Sequence, residues 1–166
     1  QQKALLFTNT QRVWRLNSKG DYWVYNFNTN ALTQIGKGLS ASSLMFAKFS
    51  PDGKTIAYVS QNNLYSEDYA SGKITALTTN GTVSLINGRF DWAYEEEFAC
   101  RDGFRWSPDS KSIAYWQVDA SAIKKFYMIN NTDSIYSQLV PLEYPKVGET
   151  PSACKIGVVN LEDTKT

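Results

Sequence analysis

The chain has 166 residues, 42% apolar and 20% charged, which suits one globular unit or a piece of a larger one and excludes an intrinsically disordered chain. Lys and Arg number 17 against 16 Asp and Glu, so no broad basic field exists to hold nucleic acid or an anionic membrane, and none of the apolar runs reaches the roughly 18 residues of a spanning helix. Histidine is absent, which removes the commonest general base of hydrolases and the commonest ligand of catalytic zinc.

Aromatic residues, 14% of the chain, fall in short runs bounded by Gly, Asn, Asp and Pro, the pattern of β-strands and turns. Strands are predicted over 5–8, 21–27 and 31–35, the last two joined at Asn28-Thr29-Asn30. A hairpin follows: an apolar strand enters the Ser50-Pro51-Asp52-Gly53-Lys54 turn, where Pro presets φ and Asp can bond its own backbone, and leaves along 56–59. With strands near 64–69 and 74–78, four strands in succession make an antiparallel blade. The same hairpin recurs as Trp106-Ser107-Pro108-Asp109-Ser110-Lys111, with an outgoing strand over 113–116. Both outgoing strands are apolar on each side, as expected of strands covered on both faces. A last strand is predicted over 155–161, then a turn over 162–166.

A repeated four-stranded unit of this length points to an all-β fold, a partial β-propeller of about three blades. The expected divisions are the end of one blade at 1–40, a blade at 41–80, an acidic helical insert at 81–102, and a further incomplete blade at 103–166. Closed propellers use about four to eight blades, so the chain is expected to be part of a larger one, its open edges covered by missing segments or in a homodimer. A β-sandwich is the alternative. Cys100 and Cys154 have no CxxC spacing and are free thiols or one disulfide. No metal-ligand cluster, phosphate-binding glycine loop or nucleotide fingerprint occurs, and no cofactor or metal is expected.

Asp91-Trp92-Ala93-Tyr94-Glu95-Glu96-Glu97-Phe98 breaks the strand pattern with helix formers and three adjacent carboxylates. A charge run alone reads as a solvated face. Here Trp92, Tyr94 and Phe98 are expected to anchor it and fix the acids in place.

This segment resembles the Asp-Trp-x-Tyr-Glu-Glu-Glu marker of the dipeptidyl peptidase IV family, serine exopeptidases of the prolyl oligopeptidase clan. The resemblance continues through Gly103-Phe104-Arg105-Trp106-Ser107-Pro108-Asp109, Asn131-Thr132-Asp133-Ser134-Ile135-Tyr136 and Tyr144-Pro145-Lys146-Val147-Gly148, over almost the whole chain. It implies an eight-bladed propeller that caps an α/β-hydrolase domain. The nucleophile elbow has no counterpart in this sequence, so catalytic residues are expected outside it and the fragment alone is expected to be inactive.

The resemblance further implies that Glu96 and Glu97 bind the free ammonium of a peptide substrate, with Glu95, Trp92 and Tyr94 supporting them. Arg15, in Gln11-Arg12-Val13-Trp14-Arg15, matches an early-strand arginine that contacts the substrate carbonyl and one acid; Arg12 is the next candidate and Arg105 a weaker one. The chemistry fits such binding, since an α-ammonium, of ordinary pKa about 7.7–8.0, offers three donors, and carboxylates only accept. The implied reaction is release of N-terminal dipeptides, often after Pro or Ala, in a secreted, periplasmic or membrane-tethered setting.

Departures are the proline-free Asp119-Ala120-Ser121-Ala122-Ile123-Lys124 and a Thr150-Pro151 step where the family has Asn-Pro; they bear on subfamily and leave a tripeptide-releasing relative open. The other readings are a non-catalytic propeller scaffold for protein interactions and a carbohydrate-binding module that stacks sugars on aromatics. The first predicts no selectivity for free amines. Against the second, Trp14, Trp23, Trp92, Trp106 and Trp116 are expected in blade packing.

Overall fold

The computed structural model describes residues 2–162; the turn expected over 162–166 lies outside them beyond Glu162. Strand β1 (Lys3–Gln11) pairs antiparallel with β2 (Lys19–Asn26), which carries β3 (Ala31–Gln34) on its other edge. Strands β4 (Leu44–Phe49), β5 (Thr55–Ser60), β6 (Asn63–Asp68) and β7 (Ile74–Ala76) follow as a four-stranded antiparallel blade. Two pairings, Lys19↔Met45 and Gly20↔Leu44, join β2 to β4 at one end.

The third sheet is built around β10 (Ser112–Asp119), flanked by β13 (Ala153–Asn160) on one edge. Its other edge is a single line of chain broken in two. β8 (Leu85–Asn87) pairs with Gln117–Asp119, and β9 (Phe104–Trp106) pairs with Ile113–Tyr115. Between them the chain leaves the sheet to form helix α1 (Trp92–Phe98) and returns. The neck is closed by Gly103 N–H on Gly88 O at 3.0 Å and by the Arg89↔Asp102 bridge. Residues 85–87 therefore belong to the sheet, and the helical excursion is confined to the stretch between Gly88 and Gly103. A second excursion between β10 and β13 is the hairpin β11 (Lys125–Asn130) and β12 (Gln138–Glu143), which pairs only with itself among the described residues.

The Ser-Pro-Asp turns form as expected. Ser50 Oγ donates to Asp52 at 2.6 Å and Ser107 Oγ to Asp109 at 2.6 Å, and each Asp accepts the N–H two residues on, from Lys54 and Lys111, at 3.1 Å. Both carboxyls are held below the usual range, first by the serine hydroxyl and then by that backbone N–H.

β5 separates two cores because its side chains alternate. Ala57 and Val59 pack with Met45, Leu64, Phe104 and Ile113; Ile56 and Tyr58 pack with Tyr22, Val24, Ile35 and Leu44. Ile56 through Val59 are fully buried, each large side chain contributing about 1.5–3 kcal/mol. β10 differs from the expectation that both faces are covered: Ile113 and Tyr115 are buried, but Ala114 and Trp116 face outward, beside Val158 and Ile156 of β13. The reason is packing order, since β5 is covered by β2 and Ile35 on one face and by the β10 sheet on the other, whereas the outward side chains of β10 join no core cluster among the described residues.

Candidate functional site

Helix α1 starts on Asp91, whose extended backbone and Oδ1, accepting the Tyr94 N–H at 3.1 Å, make it the N-cap. It ends where Ala99 turns left-handed at φ 56, and the Cys100 N–H closes on Tyr94 O at 3.0 Å. Successive side chains on a helix diverge by about 100°, so the three acids cannot share one environment.

Glu95 points inward and is 3% exposed. Burial pushes its carboxyl above the usual range, against the pull of Arg101, whose Nε lies 3.8 Å away, and of Arg89. Glu96 is ion-paired to Arg15 Nε, its side chain only 8% exposed while that of Arg15 is 83% exposed. Glu97 faces solvent. The resemblance puts Arg15 on a strand; it lies instead in the bend between β1 and β2, and that departure from the sheet lets it reach the helix.

Of the expected anchors, Trp92 packs on Tyr144 with ring centroids 4.7 Å apart, and Tyr94 packs on Phe90 at 5.6 Å. The Tyr94 hydroxyl and Cys154 Sγ lie in hydrogen-bond contact at 3.4 Å, and the tyrosine pKa is pushed up to about 12, first by the pairing with Cys154 and then by burial. Phe98 corrects the expectation: it is 70% exposed and meets Tyr94 on one edge, because the helix ends there and no other aromatic ring packs on it among the described residues. Cys100 and Cys154 are free, half-buried thiols that pack on the same apolar cluster of Ile86, Phe90 and Val118. Arg105 pairs with Asp102 at 3.0 Å, and Arg12 is exposed and meets no acid among the described residues.

Sequence reasoning missed Arg89, which sits at the neck of the insert. Its Nε donates to Asn62 Oδ1 at 2.8 Å and Nη1 to Phe90 O at 3.0 Å, and burial pushes its pKa down, against the attraction of Glu95, Asp91 and Glu143. Asn62 holds it from the β5–β6 turn, where Gln61 and Asn62 take φ of 47° and 61°. The available signal was a basic residue at the start of a Gly-bounded acidic excursion, directly after Gly88.

Two carboxylates in the final turn oppose the helix macrodipole, which favours cations there, and that turn has no basic residue of its own. The arrangement is locally unfavourable unless a cation arrives from elsewhere. Arg15 supplies one, and the exposed Glu97 leaves room for a second.

The family model described as "Dipeptidyl peptidase IV (DPP IV) N-terminal region" matches residues 1–166. Dipeptidyl aminopeptidase B of Saccharomyces cerevisiae is 32% identical, covering 97% of this chain and 20% of that protein. A probable dipeptidyl peptidase 4 of Emericella nidulans is 29% identical over 96% of this chain and 21% of its own length. The crystal structure of Porphyromonas gingivalis dipeptidyl peptidase 4 superposes with a TM-score of 0.91 at 30% identity, covering 99% of this chain and 23% of that one. The chain thus spans about a fifth of the length of these relatives. From the interrupted strand, the acid-rich helix it releases and these matches together, the chain belongs to the dipeptidyl peptidase IV N-terminal region family and has the fold of a partial β-propeller.

Proposed function

We propose that this region is the substrate-recognising part of a serine-type dipeptidyl peptidase, and that Glu96 and Glu97 bind the free α-ammonium of the peptide. The observation that carries the reading is the pair of acids at the end of α1, one held by Arg15 and the other exposed and in no ion pair among the described residues. A unit-charge pair at about 4 Å gains on the order of 4 kcal/mol at an effective dielectric near 20, before desolvation. Arg15, largely exposed, has donors left over to hold the first substrate carbonyl.

The acids sit on a helix anchored to the sheet at both ends of its neck, so they fix where the amino end stops. That distance to a nucleophile carried elsewhere in the protein selects the bond to be cut, which makes the contribution mainly one of position. The names of the relatives support the peptidase class, and the absence of histidine agrees with a nucleophile and base supplied from outside these residues. The setting proposed is extracytoplasmic.

In the full-length enzyme, Glu96→Ala or Glu97→Ala is expected to lower kcat/KM toward dipeptidyl substrates by about 100-fold or more, corresponding to loss of roughly 3 kcal/mol of transition-state binding. An unchanged kcat/KM contradicts the assignment.

A further inference from the structure

A groove of about 460 Å³ opens between the β1–β2 bend, the loop from β3 to β4 and the β5–β6 turn. Three cations line it, Arg12, Lys19 and Arg89, and no acid does. Neither Arg12 nor Lys19 is ion-paired among the described residues. Asp21, close to Lys19 in sequence, uses one oxygen on the Ser42 N–H at 2.7 Å and the other on the Asn9 amide at 2.8 Å. The carboxylates that offset Arg89, namely Glu95, Asp91 and Glu143, all lie outside the groove lining.

Surface cations alone are ordinary; two further features make this a built site. Arg89 is held by Asn62 and the Phe90 carbonyl at the groove wall, so its charge is fixed in place. Trp14 also lines the groove, and its Nε1 is buried with no acceptor. A buried donor left unmade is costly. Although Arg89 is offset from the adjoining cavity by Asp91 and Glu143, Arg12 and Lys19 have no ion-pair partner among the described residues, so the groove carries an excess of positive charge that an anion offsets. The combination calls for an oxyanion: a planar guanidinium, an ammonium and an indole N–H are all donors, and a carboxylate is a pure acceptor.

The groove also adjoins the acid pair. Trp14 lines it, and the next residue, Arg15, grips Glu96, so the same β1–β2 bend serves both the groove and the acid helix. We propose that the groove binds a carboxylate of that same peptide, either an acidic side chain a few residues from the amino end or a free C-terminus. This rests on the ammonium reading: positive end on Glu96 and Glu97, negative group on Arg12, Lys19 and Arg89. The substrate class favoured is therefore a short peptide with an acidic group beyond the dipeptide released.

The test uses the full-length enzyme and a set of hexapeptides in which one Asp is moved from the third to the sixth position, each against its Asn counterpart, as C-terminal acids and as amides. An Asp or a free C-terminus at some position is expected to raise kcat/KM about 10-fold, and Arg12→Gln with Lys19→Gln to abolish that gain while leaving the all-Asn amide peptide unchanged. A gain confined to the free acids identifies the C-terminus as the source; a gain tied to one Asp identifies the side chain. No gain at any position, or a gain that survives both substitutions, overturns the proposal. Ammonium recognition is read separately, from the ratio of free to acetylated all-Asn peptide, which these variants leave intact and Glu96→Gln removes.

Discussion

Arg15 and Glu96 meet across the gap between the β1–β2 bend and helix α1, an almost fully exposed guanidinium closing on an almost fully buried carboxylate. An ion pair with one such exposed member adds only about 0–1 kcal/mol to stability, because solvent screens it. Its value lies in fixing the direction of Glu96. Arg15→Gln is therefore expected to leave thermal unfolding nearly unchanged and to raise KM for dipeptidyl substrates about 10-fold, read by parallel melting and steady-state kinetics on the full-length enzyme. A large loss of stability with unaltered kinetics contradicts this division.

Lys48 of β4 crosses to the next blade, where it pairs with Asp102, donates to Phe104 O at 3.0 Å and lies 3.9 Å from the Phe104 ring centroid. Burial pulls its pKa down, and Asp102 holds it up. Asp102→Ala is expected to destabilise the propeller by about 1–3 kcal/mol by leaving that ammonium half-buried without its anion. The deficit shrinks at alkaline pH, since a lysine whose folded pKa lies below its unfolded value binds fewer protons when folded, and stability rises as pH passes through the folded pKa. Denaturant unfolding at neutral and alkaline pH checks both statements.

Glu67 is 4% exposed and accepts the Gly36 N–H at 2.8 Å and the Tyr58 hydroxyl at 3.1 Å. Burial raises its carboxyl above the usual carboxylate range, outweighing those two bonds and Lys37. The folded state then holds the proton more tightly than the unfolded one. Stability from this group is present below the unfolded pKa and is lost as pH rises through the folded one. Glu67→Gln, which keeps an acceptor and removes the charge, is expected to raise the Tm relative to the parent at pH 8 more than at pH 4. An equal difference at both pH values contradicts the shift.

The parts legible in the sequence were those in which local chemistry and burial agree. The Ser-Pro-Asp turns announced both hairpins because Pro fixes φ and Asp closes the loop. In the second turn Ser110 takes φ 64 where Gly53 takes 71, so the conformation outlasts the glycine. The acid helix was readable from its composition and flanking aromatics.

The hairpin β11–β12 was not readable, because Phe126, Tyr127, Met128 and Ile129 are all exposed and give no inside-outside alternation to follow. Nor was the split of one strand into β8 and β9, since each piece has three residues and gains its identity only by pairing with β10. Arg89 was missed because its partners, Asn62 and the Phe90 carbonyl, leave no charge pattern in the sequence.

The most direct measurement is calorimetric: the dissociation constants of a product dipeptide and its Nα-acetyl form for the full-length enzyme, the parent beside Glu96→Gln/Glu97→Gln. The expected result is about 100-fold or more preference for the free amine in the parent and nearly equal affinities in the variant, a coupling of roughly 3 kcal/mol between the ammonium and the two carboxylates. The same preference in both proteins contradicts the ammonium site.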